Sequence, residues 1–497
     1  MVIESVPTLG AVGDVLRSAD LLRELRGPGD VAVQGVCQDS REARPGDLFL
    51  AWRGSSTDAH DFVGEAVANG AVAAVVERPV DVDVPQLVVD DGRRAAALAA
   101  RAVLRSPDAD LLMVGVTGTN GKTTTALLVR HLMANRGPAA VIGSLGVVDD
   151  DGVWPDTEGL TTPGPVQVAV WLWKLSNGGM EAVVMEASSH ALDQHRLDGV
   201  ELDVGVFTNF TQDHLDYHND MAEYFGAKAR LVELVVSEGT LVVNRDDPAW
   251  DQLDAGGRSV RTFAVDAEAD VRAEAVRLGS DGSHFRLVID GERRDVHLPL
   301  LARHNIENAL AAAAVGAAAG LRIDEIAAGL ATVPQVSGRL ETVVTQPFSV
   351  LIDFAHTPDA LDRALSAVRP LTPGRLIVVF GAGGDRDVSK RRPMAEAVAN
   401  VADLIVLTSD NPRTEDPECI LDDLAEGLLA VGLAEGAYER YADRRAAIRF
   451  ALEAARDGDT VVLAGKGHEM YQVLGTEKVP FDERIVVREC LEELGVA

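Results

Sequence analysis

Short continuous apolar runs, each closed by a polar or glycine-containing joint, alternate along this chain with stretches that repeat apolar residues at the helical period. Such runs suit strands buried on both faces of a parallel sheet, and the stretches between them suit covering helices. Before residue 106, strand-like LFLAW (48–52), AVAAVVE (71–77) and QLVVDD (86–91) alternate with helix-like FVGEAVANG (62–70) and RRAAALAARAVLR (93–105). A small α/β unit is predicted there, with a boundary near Ser106–Asp110. The alternation resumes with LLMVGV (111–116), AAVIGS (139–144), EAVVMEA (181–187), DVGVFTN (203–209) and GTLVVN (239–244), and an alanine-rich helix follows HNIEN (304–308). HFRLVID (284–290) and DVHLPL (295–300) are expected to add an antiparallel edge. Proline and glycine in VPQVSGRLE (333–341) mark a second boundary, after which SVLIDFA, RLIVVFG, DLIVLTS and TVVLAG repeat the pattern. The fold class is α/β in three domains, over 1–107, 108–335 and 336–497.

The length of 497 residues agrees with that division, at about one domain per 150 residues. A formal charge of −32 and a pI near 4.7 oppose non-specific binding to nucleic acid or to anionic membrane. A small anionic ligand then requires a local cationic pocket. The start, MVIESVPTLGAVGDVL, lacks the basic residues and apolar run of a secretory signal. Ala309–Leu321 falls short of the roughly 20 apolar residues of a membrane span. Cys37, Cys419 and Cys490 are scattered and form no CxxC pair, which fits a reducing compartment. The expectation is a cytoplasmic monomer that acts on small molecules. Of 46 basic residues only six are lysine: Lys122, Lys174, Lys228, Lys390, Lys466 and Lys478. In so arginine-rich a chain, each lysine is a candidate for chemistry that needs a compact ammonium or a modifiable amine.

The clearest chemistry lies in TGTNGKTTT (117–125). The run before it predicts a buried strand, Gly118 and Gly121 a tight turn around Thr119 and Asn120, and Lys122, Thr123 and Thr124 the start of a helix whose amides face an anion. A strict GxxxxGK[ST] pattern requires glycine where Val116 stands, so the reading rests on strand, turn, Lys-Thr and helix together. Lys122 suits terminal phosphates and Thr123 suits Mg²⁺. Glu186 closes an apolar strand, where it either completes the Mg²⁺ shell or is a surface acid. TNFTQDHLDYH places Asn209, Asp213, His214, Asp216 and His218 after another strand. Their spacing is equally that of a polar capped loop, and Lys228 reads as an ordinary solvent-facing helical lysine.

In order along the chain, DSREARPGDLF, TGTNGKTTT, TTPGP, EASSHALDQHR, TNFTQDHLDYH, HNIEN, SGRLE, DFAHTPD, GGDRD, DNPRTEDP and GKGHE resemble the Mur ligases, ATP-dependent amide-bond-forming enzymes of peptidoglycan synthesis. The resemblance covers nearly the whole chain. It implies a UDP-sugar-binding domain over 1–107, a central P-loop ATPase with a parallel sheet over 108–335, and a Rossmann-like amino-acid-binding domain over 336–497. It also implies that ATP phosphorylates the D-glutamate γ-carboxylate of UDP-MurNAc-L-Ala-D-Glu and that an amine captures the acyl phosphate. By the same resemblance Gly118, Thr119, Asn120, Gly121, Lys122, Thr123, Thr124, Asn305, Arg339 and Asp353 bind ATP, with His356 nearby. Thr123 and Glu186 hold one Mg²⁺, and His214 with carbamylated Lys228 serves a second, so that Lys122, Glu186, His214 and Lys228 form the catalytic set. Ser40 contacts the uridine nucleotide, while Thr161, Thr162, Ser188, Gln194 and Arg196 orient the muramoyl dipeptide. Apart from the resemblance, DSR reads as a turn, and TTP and SSH read as helix caps.

The implied amino-acid pocket is Arg386, Asp410, Asn411, Pro412, Arg413, Gly465 and Glu469. Meso-diaminopimelate differs from lysine by a distal carboxylate, which a planar guanidinium such as Arg413 can grip bidentately. Asp410 and Glu469 suit ammonium groups, and Gly465 permits close backbone approach. Apart from the resemblance, DNPR is an Asx-Pro turn with a surface arginine. Ala187 and Phe354 depart from residues frequent in the family without removing the motifs' chemical groups. Roles for Lys390, Arg391, Arg392 and Lys466 stay open. The expected activity is addition of meso-diaminopimelate, and the nearest alternative is a lysine-adding relative. A folate polyglutamate ligase lacks the uridine-type first domain, and a P-loop nucleotide-dependent binding protein leaves DNPR and GKGHE without roles.

Overall fold

The computed structural model describes residues 6–54, 57–157, 159–434 and 436–496. The chain forms two compact units, one built on residues up to 274 with 287–294 and 307–330, the other on 275–286, 295–306 and 331–497. In the first unit β1 (Leu22–Arg26), β2 (Gly35–Cys37), β3 (Asp47–Leu50), β4 (Ala73–Val76) and β5 (Gln86–Val89) pair in the order β1-β5-β4-β3-β2. All neighbours run parallel except β1, which closes the edge antiparallel to β5. Asp91 ends the run after β5 and caps helix Gly92–Val103 by accepting the Arg93 and Arg94 N–H groups. The apolar face of that helix, Ala95, Ala96, Ala99 and Ala100, shares a core with Leu9, Val12 and Leu16 and with Val166 and Ala169 of helix Pro165–Asn177. Near the expected first boundary the chain is packed: buried Asp108 pairs with Arg101 at 2.7 Å and accepts the Glu201 N–H at 3.0 Å.

Eleven strands make the second sheet: β6 (Leu112–Thr117), β7 (Ala139–Gly143), β8 (Gly146–Asp149), β9 (Gly152–Val153), β10 (Ala182–Glu186), β11 (Leu202–Phe207), β12 (Val235–Asn244), β13 (Ser259–Ala264), β14 (Val271–Gly279), β15 (Gly282–Ile289) and β16 (Glu292–Leu298). Their order is β16-β15-β14-β13-β12-β11-β6-β10-β7-β8-β9. From β7 through β10, β6, β11 and β12 to β13 all pairs are parallel. β6 lies between β10 and β11, so the loops leaving these three strands open at one carboxyl edge, where open α/β sheets bind ligands. β15 and β16 occupy the far edge, as HFRLVID and DVHLPL predict. Among the described residues no helix is long and apolar enough to cross a membrane.

In the second unit β17 (Glu341–Val344), β18 (Ser349–Asp353), β19 (Leu376–Phe380), β20 (Leu404–Thr408), β21 (Glu439–Tyr441) and β22 (Thr460–Ala464) pair in the order β17-β18-β22-β19-β20-β21. The apolar runs are continuous because both faces are covered: Leu351, Val378, Phe380, Leu407 and Val462 enter one core, and Val350, Ile352, Ile377, Val379, Val406 and Val461 the opposite one. The chain passes from β18 to β19, β20 and β21, then returns as β22 into the gap between β18 and β19. That is the topological switch point, and a hairpin of β23 (Tyr471–Leu474) and β24 (Glu477–Pro480) follows it.

Behind the switch point Arg444 and Glu483 are both fully buried. Arg444 Nε and Nη2 reach Glu483 Oε1 at 2.8 and 2.7 Å, and Nη1 and Nη2 donate to the Ser409 and Ala464 carbonyls at 3.2 and 2.9 Å. Removing one partner of such a pair leaves a stranded charge and costs roughly 3–5 kcal/mol, against about 0–1 kcal/mol for an exposed pair. Glu483→Ala is expected to lower the opening free energy of the β22 amides by about 3 kcal/mol in native-state hydrogen exchange. Unchanged protection would show that the pair adds nothing to stability.

Candidate active site

The turn after β6 leaves no room for side chains. Gly118 and Gly121 have φ of +140° and +83°, and a Cβ would lie 1.9 Å from Thr208 Oγ1 at the first and 2.3 Å from Asn308 Oδ1 at the second. The loop after β11 fastens this turn: Thr119 N donates to Asn209 O at 2.7 Å, Asn120 N to Asn209 Oδ1 at 2.8 Å, and Thr208 Oγ1 to Asn120 O at 2.7 Å. Helix Lys122–Met133 then begins at Gly121 with no side-chain cap, so its first N–H groups are placed for an anion. Lys122 Nζ folds over the turn and donates to the Gly118 and Thr119 carbonyls at 3.0 and 2.8 Å. Thr123 Oγ1 lies 3.0 Å from Glu186 Oε2, while Glu186 Oε1 accepts the Ser144 N–H at 2.8 Å. Two adjacent hard oxygen donors beside a phosphate-type loop fit Mg²⁺.

Lys228 corrects the solvent-facing reading, for it is 1% exposed. Its Nζ donates to Gly118 O at 2.7 Å and lies 4.5 Å from the Tyr224 ring centroid. A desolvated cation–π contact supplies about 2 kcal/mol, less than the several kcal/mol lost on burying an ammonium. Burial, reinforced by Lys122, accordingly pushes the Lys228 pKa well below the usual lysine range, toward a neutral nucleophilic amine. His214 stands on the loop after β11 at φ +53°, and burial together with Lys122 and Lys228 lowers its imidazole pKa. The His190 ring lies 4.7 Å from His214 and 5.7 Å from His218, and burial and these neighbours push it down to about 4. Asp213 and Asp216 are exposed.

Next to Glu186, the TTP, SSH and QHR segments interlock. Thr162 Oγ1 donates to Glu186 O at 2.8 Å and accepts the Ser188 N–H at 3.0 Å; Arg196 Nη1 donates to Thr162 O at 2.7 Å and Nη2 to Gln194 Oε1 at 2.7 Å. Gln194 Nε2 donates to Tyr217 Oη at 3.1 Å, and Ser144 Oγ reaches Thr161 Oγ1 at 3.1 Å. Ser40 Oγ donates to Glu65 Oε2 at 2.6 Å. Gln38, two residues before it, adjoins the TTPGP loop: a Cβ on Gly164 would lie 3.6 Å from Gln38 Nε2.

In the second unit the loops after β18, β19, β20 and β22 meet at their carboxyl ends. Asp353 Oδ2 and Oδ1 accept the Leu340 and Ala355 N–H groups at 2.7 and 2.8 Å, and burial raises its pKa. Arg339 lies over the Phe354 ring at 5.1 Å, with His356 and His468 against that ring. Asn305 is buried, its Nδ2 donating to Leu301 O at 2.7 Å. Arg413 adopts φ +52°, held by Arg413 N donating to Val473 O at 3.1 Å and Gly475 N to Arg413 O at 2.7 Å; its Nη1 donates to Gly384 O at 2.9 Å. A Cβ on Gly384 would lie 1.9 Å from Pro412 O, and one on Gly465 2.5 Å from Asp410 Oδ2, so both glycines permit loop contact. Asn411 Nδ2 donates to Glu469 Oε2 at 2.9 Å. Arg386 is exposed.

Three Mur ligase domain families match the chain in order: the Mur ligase family catalytic domain over 32–111, the middle domain over 116–316 and the glutamate ligase domain over 338–467. A protein of Geobacillus kaustophilus named UDP-N-acetylmuramoyl-L-alanyl-D-glutamate--2,6-diaminopimelate ligase is 41% identical over 94% of this chain and 96% of its own length. This chain belongs to the Mur ligase family. A Geobacter metallireducens protein of the same name is 43% identical over 97% of this chain and 99% of its own. A solved structure bearing that name superposes with a TM-score of 0.70 at 31% identity, covering 95% of this chain and 98% of that one. A Mycobacterium tuberculosis folylpolyglutamate synthase complexed with ADP and AMPPCP shares the fold over 75% of this chain and 92% of its own, with a TM-score of 0.61 at 20% identity.

The structure of this Mur ligase thus groups the phosphate turn, Glu186, His214 and Lys228 at one sheet edge, with Thr161, Thr162, Ser188, Gln194 and Arg196 adjoining through Glu186. Sequence reasoning missed Ser144 and Tyr224, which carry no motif of their own. It also left Arg391 open: that side chain is 1% exposed and pairs with Glu415 and Asp423 at 2.6 and 2.8 Å, clamping the DNPRTE loop. The alternating charges of GGDRD and DNPRTED were the available signal. Gly118→Ala and Gly121→Ala are each expected to weaken ATP binding at least about tenfold, because the turn cannot close around a Cβ. Calorimetry showing wild-type affinity in both variants would remove this turn from the nucleotide site.

Proposed function

We propose that this Mur ligase adds meso-diaminopimelate to the D-glutamate γ-carboxylate of UDP-MurNAc-L-Ala-D-Glu at the expense of ATP, as a monomer in the cytoplasm. The observation that carries the substrate choice is Arg413, held at positive φ on the loop that also carries Asp410 and whose Asn411 bonds Glu469. A guanidinium and carboxylates on neighbouring loops offer both halves of an amino-acid end a partner, where lysine would leave the guanidinium unmatched.

In this reading the phosphate turn and Lys122 hold the ATP phosphates, while Asn305, Arg339, Asp353 and His356 serve the rest of the nucleotide. Ser40 serves the uridine end, and Thr161, Thr162, Ser188, Gln194 and Arg196 hold the dipeptide with its γ-carboxylate toward the γ-phosphate. Mg²⁺ on Thr123 and Glu186, with a second on His214 and carbamylated Lys228, would offset repulsion between these two anions. The γ-phosphoryl group passes to a carboxylate oxygen and ADP leaves. The amine nitrogen then attacks the acyl carbon, sheds a proton, and expels phosphate as the amide forms. Asp410 and Glu469 hold the distal ammonium of the amino acid, Arg413 its distal carboxylate, and Arg386, Asn411, Pro412 and Gly465 shape the pocket.

The lowered pKa of the buried Lys228 amine supports carbamylation, since only the unprotonated form adds carbon dioxide. Enzyme in ¹³C-bicarbonate should show a carbamate resonance that Lys228→Ala abolishes along with activity; no such resonance in active wild type would exclude the modification. With ATP, Mg²⁺ and the dipeptide, meso-diaminopimelate should trigger ADP release and yield a product of tripeptide mass. Failure of both it and lysine to do so would sink the ligase reading. Arg413→Ala should reduce kcat/KM for meso-diaminopimelate about 100-fold while affecting lysine far less.

A further inference from the structure

We propose that Lys466 sets the net charge of the amino-acid pocket and thereby selects a zwitterionic substrate end over a bare ammonium. The inference rests on the assignment of Asp410, Arg413 and Glu469 to that pocket. Lys466 follows Gly465 at the end of β22 and is 0% exposed. Its Nζ donates to Asn411 Oδ1 at 3.1 Å and to Glu469 Oε2 at 3.0 Å, and lies 3.9 Å from Asp410 Oδ1. The ammonium therefore touches, from the buried side, the groups assigned to the substrate.

This contact fixes orientation. Asn411 Oδ1 accepts from Lys466 and from Val473 N at 2.9 Å, which turns its Nδ2 to Glu469 Oε2. Glu469 Oε2 is thus engaged twice, and Oε1, with no partner among the described residues, is left for an incoming ammonium. Burial alone would raise the Glu469 pKa, but Lys466 and Asn411 outweigh it and hold the carboxyl below its usual value.

The contact also fixes charge. In the buried part of the pocket Asp410 and Glu469 supply two negative charges and Arg413 and Lys466 two positive ones, while at the exposed mouth Arg386 faces the opposite charge of Asp385. An amino-acid end, one ammonium and one carboxylate, is neutral and finds opposite partners for both groups. Without Lys466 the same pocket carries an excess negative charge, and an end that is only an ammonium, as on the side chain of lysine, becomes the better match. The charge is buried, so solvent and salt screen it little.

The test compares full-length wild type, Lys466→Met and Lys466→Gln with ATP, Mg²⁺ and the dipeptide, measuring kcat/KM for meso-diaminopimelate and for L-lysine. Glutamine, one bond shorter, keeps a polar donor on that side while removing the charge, so a merely structural lysine predicts a ratio near that of wild type in that variant. The diaminopimelate-to-lysine ratio is expected to fall about tenfold in both variants, mainly through KM. It should climb back in Lys466→Met with Glu469→Gln, where the pocket is again neutral. Should the methionine variant not fold, the glutamine variant decides: an unchanged ratio overturns the proposal. Wild type that fails to prefer either amino acid refutes the pocket assignment itself, and that result is read before any variant is made.

Discussion

The contact on which the first unit depends is the closure of the Gly118–Gly121 turn against the loop after β11. Thr208 and Asn209 occupy the space that Cβ atoms would need, and their hydrogen bonds to Asn120 and Thr119 hold the backbone there. Once the turn is closed, the Gly118 carbonyl faces inward and receives Lys228, while Thr123 is carried beside Glu186. An uncapped helix start, a carboxylate and a desolvated amine are thus brought together. Each depends on β6 lying between β10 and β11, since those two strands supply Glu186 and the Thr208–Asn209 loop.

The second unit solves a different electrostatic problem. Its parallel strands end in loops rich in both signs of charge, and the structure sorts these by depth. Arg444 with Glu483 lies fully buried behind the strands, Arg391 braces Glu415 and Asp423 behind the DNPR loop, and Lys466 stands beneath Asp410, Asn411 and Glu469. Arg413 is thereby held in a left-handed backbone conformation that a non-glycine residue adopts only when its surroundings enforce it. The hairpin of β23 and β24 enforces it here, through backbone bonds on both sides of that residue.

Legibility in the sequence followed the physics of each element. Strands β6, β10, β19, β20 and β22 could be read directly because burial on both faces demands an unbroken apolar run. β1, with its sequence LRELR, and β24, every residue of which is exposed, carry no such demand and are strands only because a neighbour supplies hydrogen bonds. The tight turn into helix Lys122–Met133 was legible because its two glycines supply the positive φ that the turn requires. Lys228 and Lys466 were not, since an isolated lysine in a helix or a loop gives no sign of its own burial.

The amino-acid sequence by itself determined the α/β alternation, the phosphate turn and the ordered motifs of a Mur ligase, because these are set by local backbone needs and by residue chemistry at short range. Tertiary structure alone decided that Lys228 is desolvated beneath Gly118, that Asp353 spends both carboxylate oxygens on backbone amides, and that Lys466 meets both Glu469, three residues on, and Asp410, from a distant part of the sequence. Burial and charge pairing depend on which strand ends become neighbours, and that is fixed only when β22 inserts between β18 and β19.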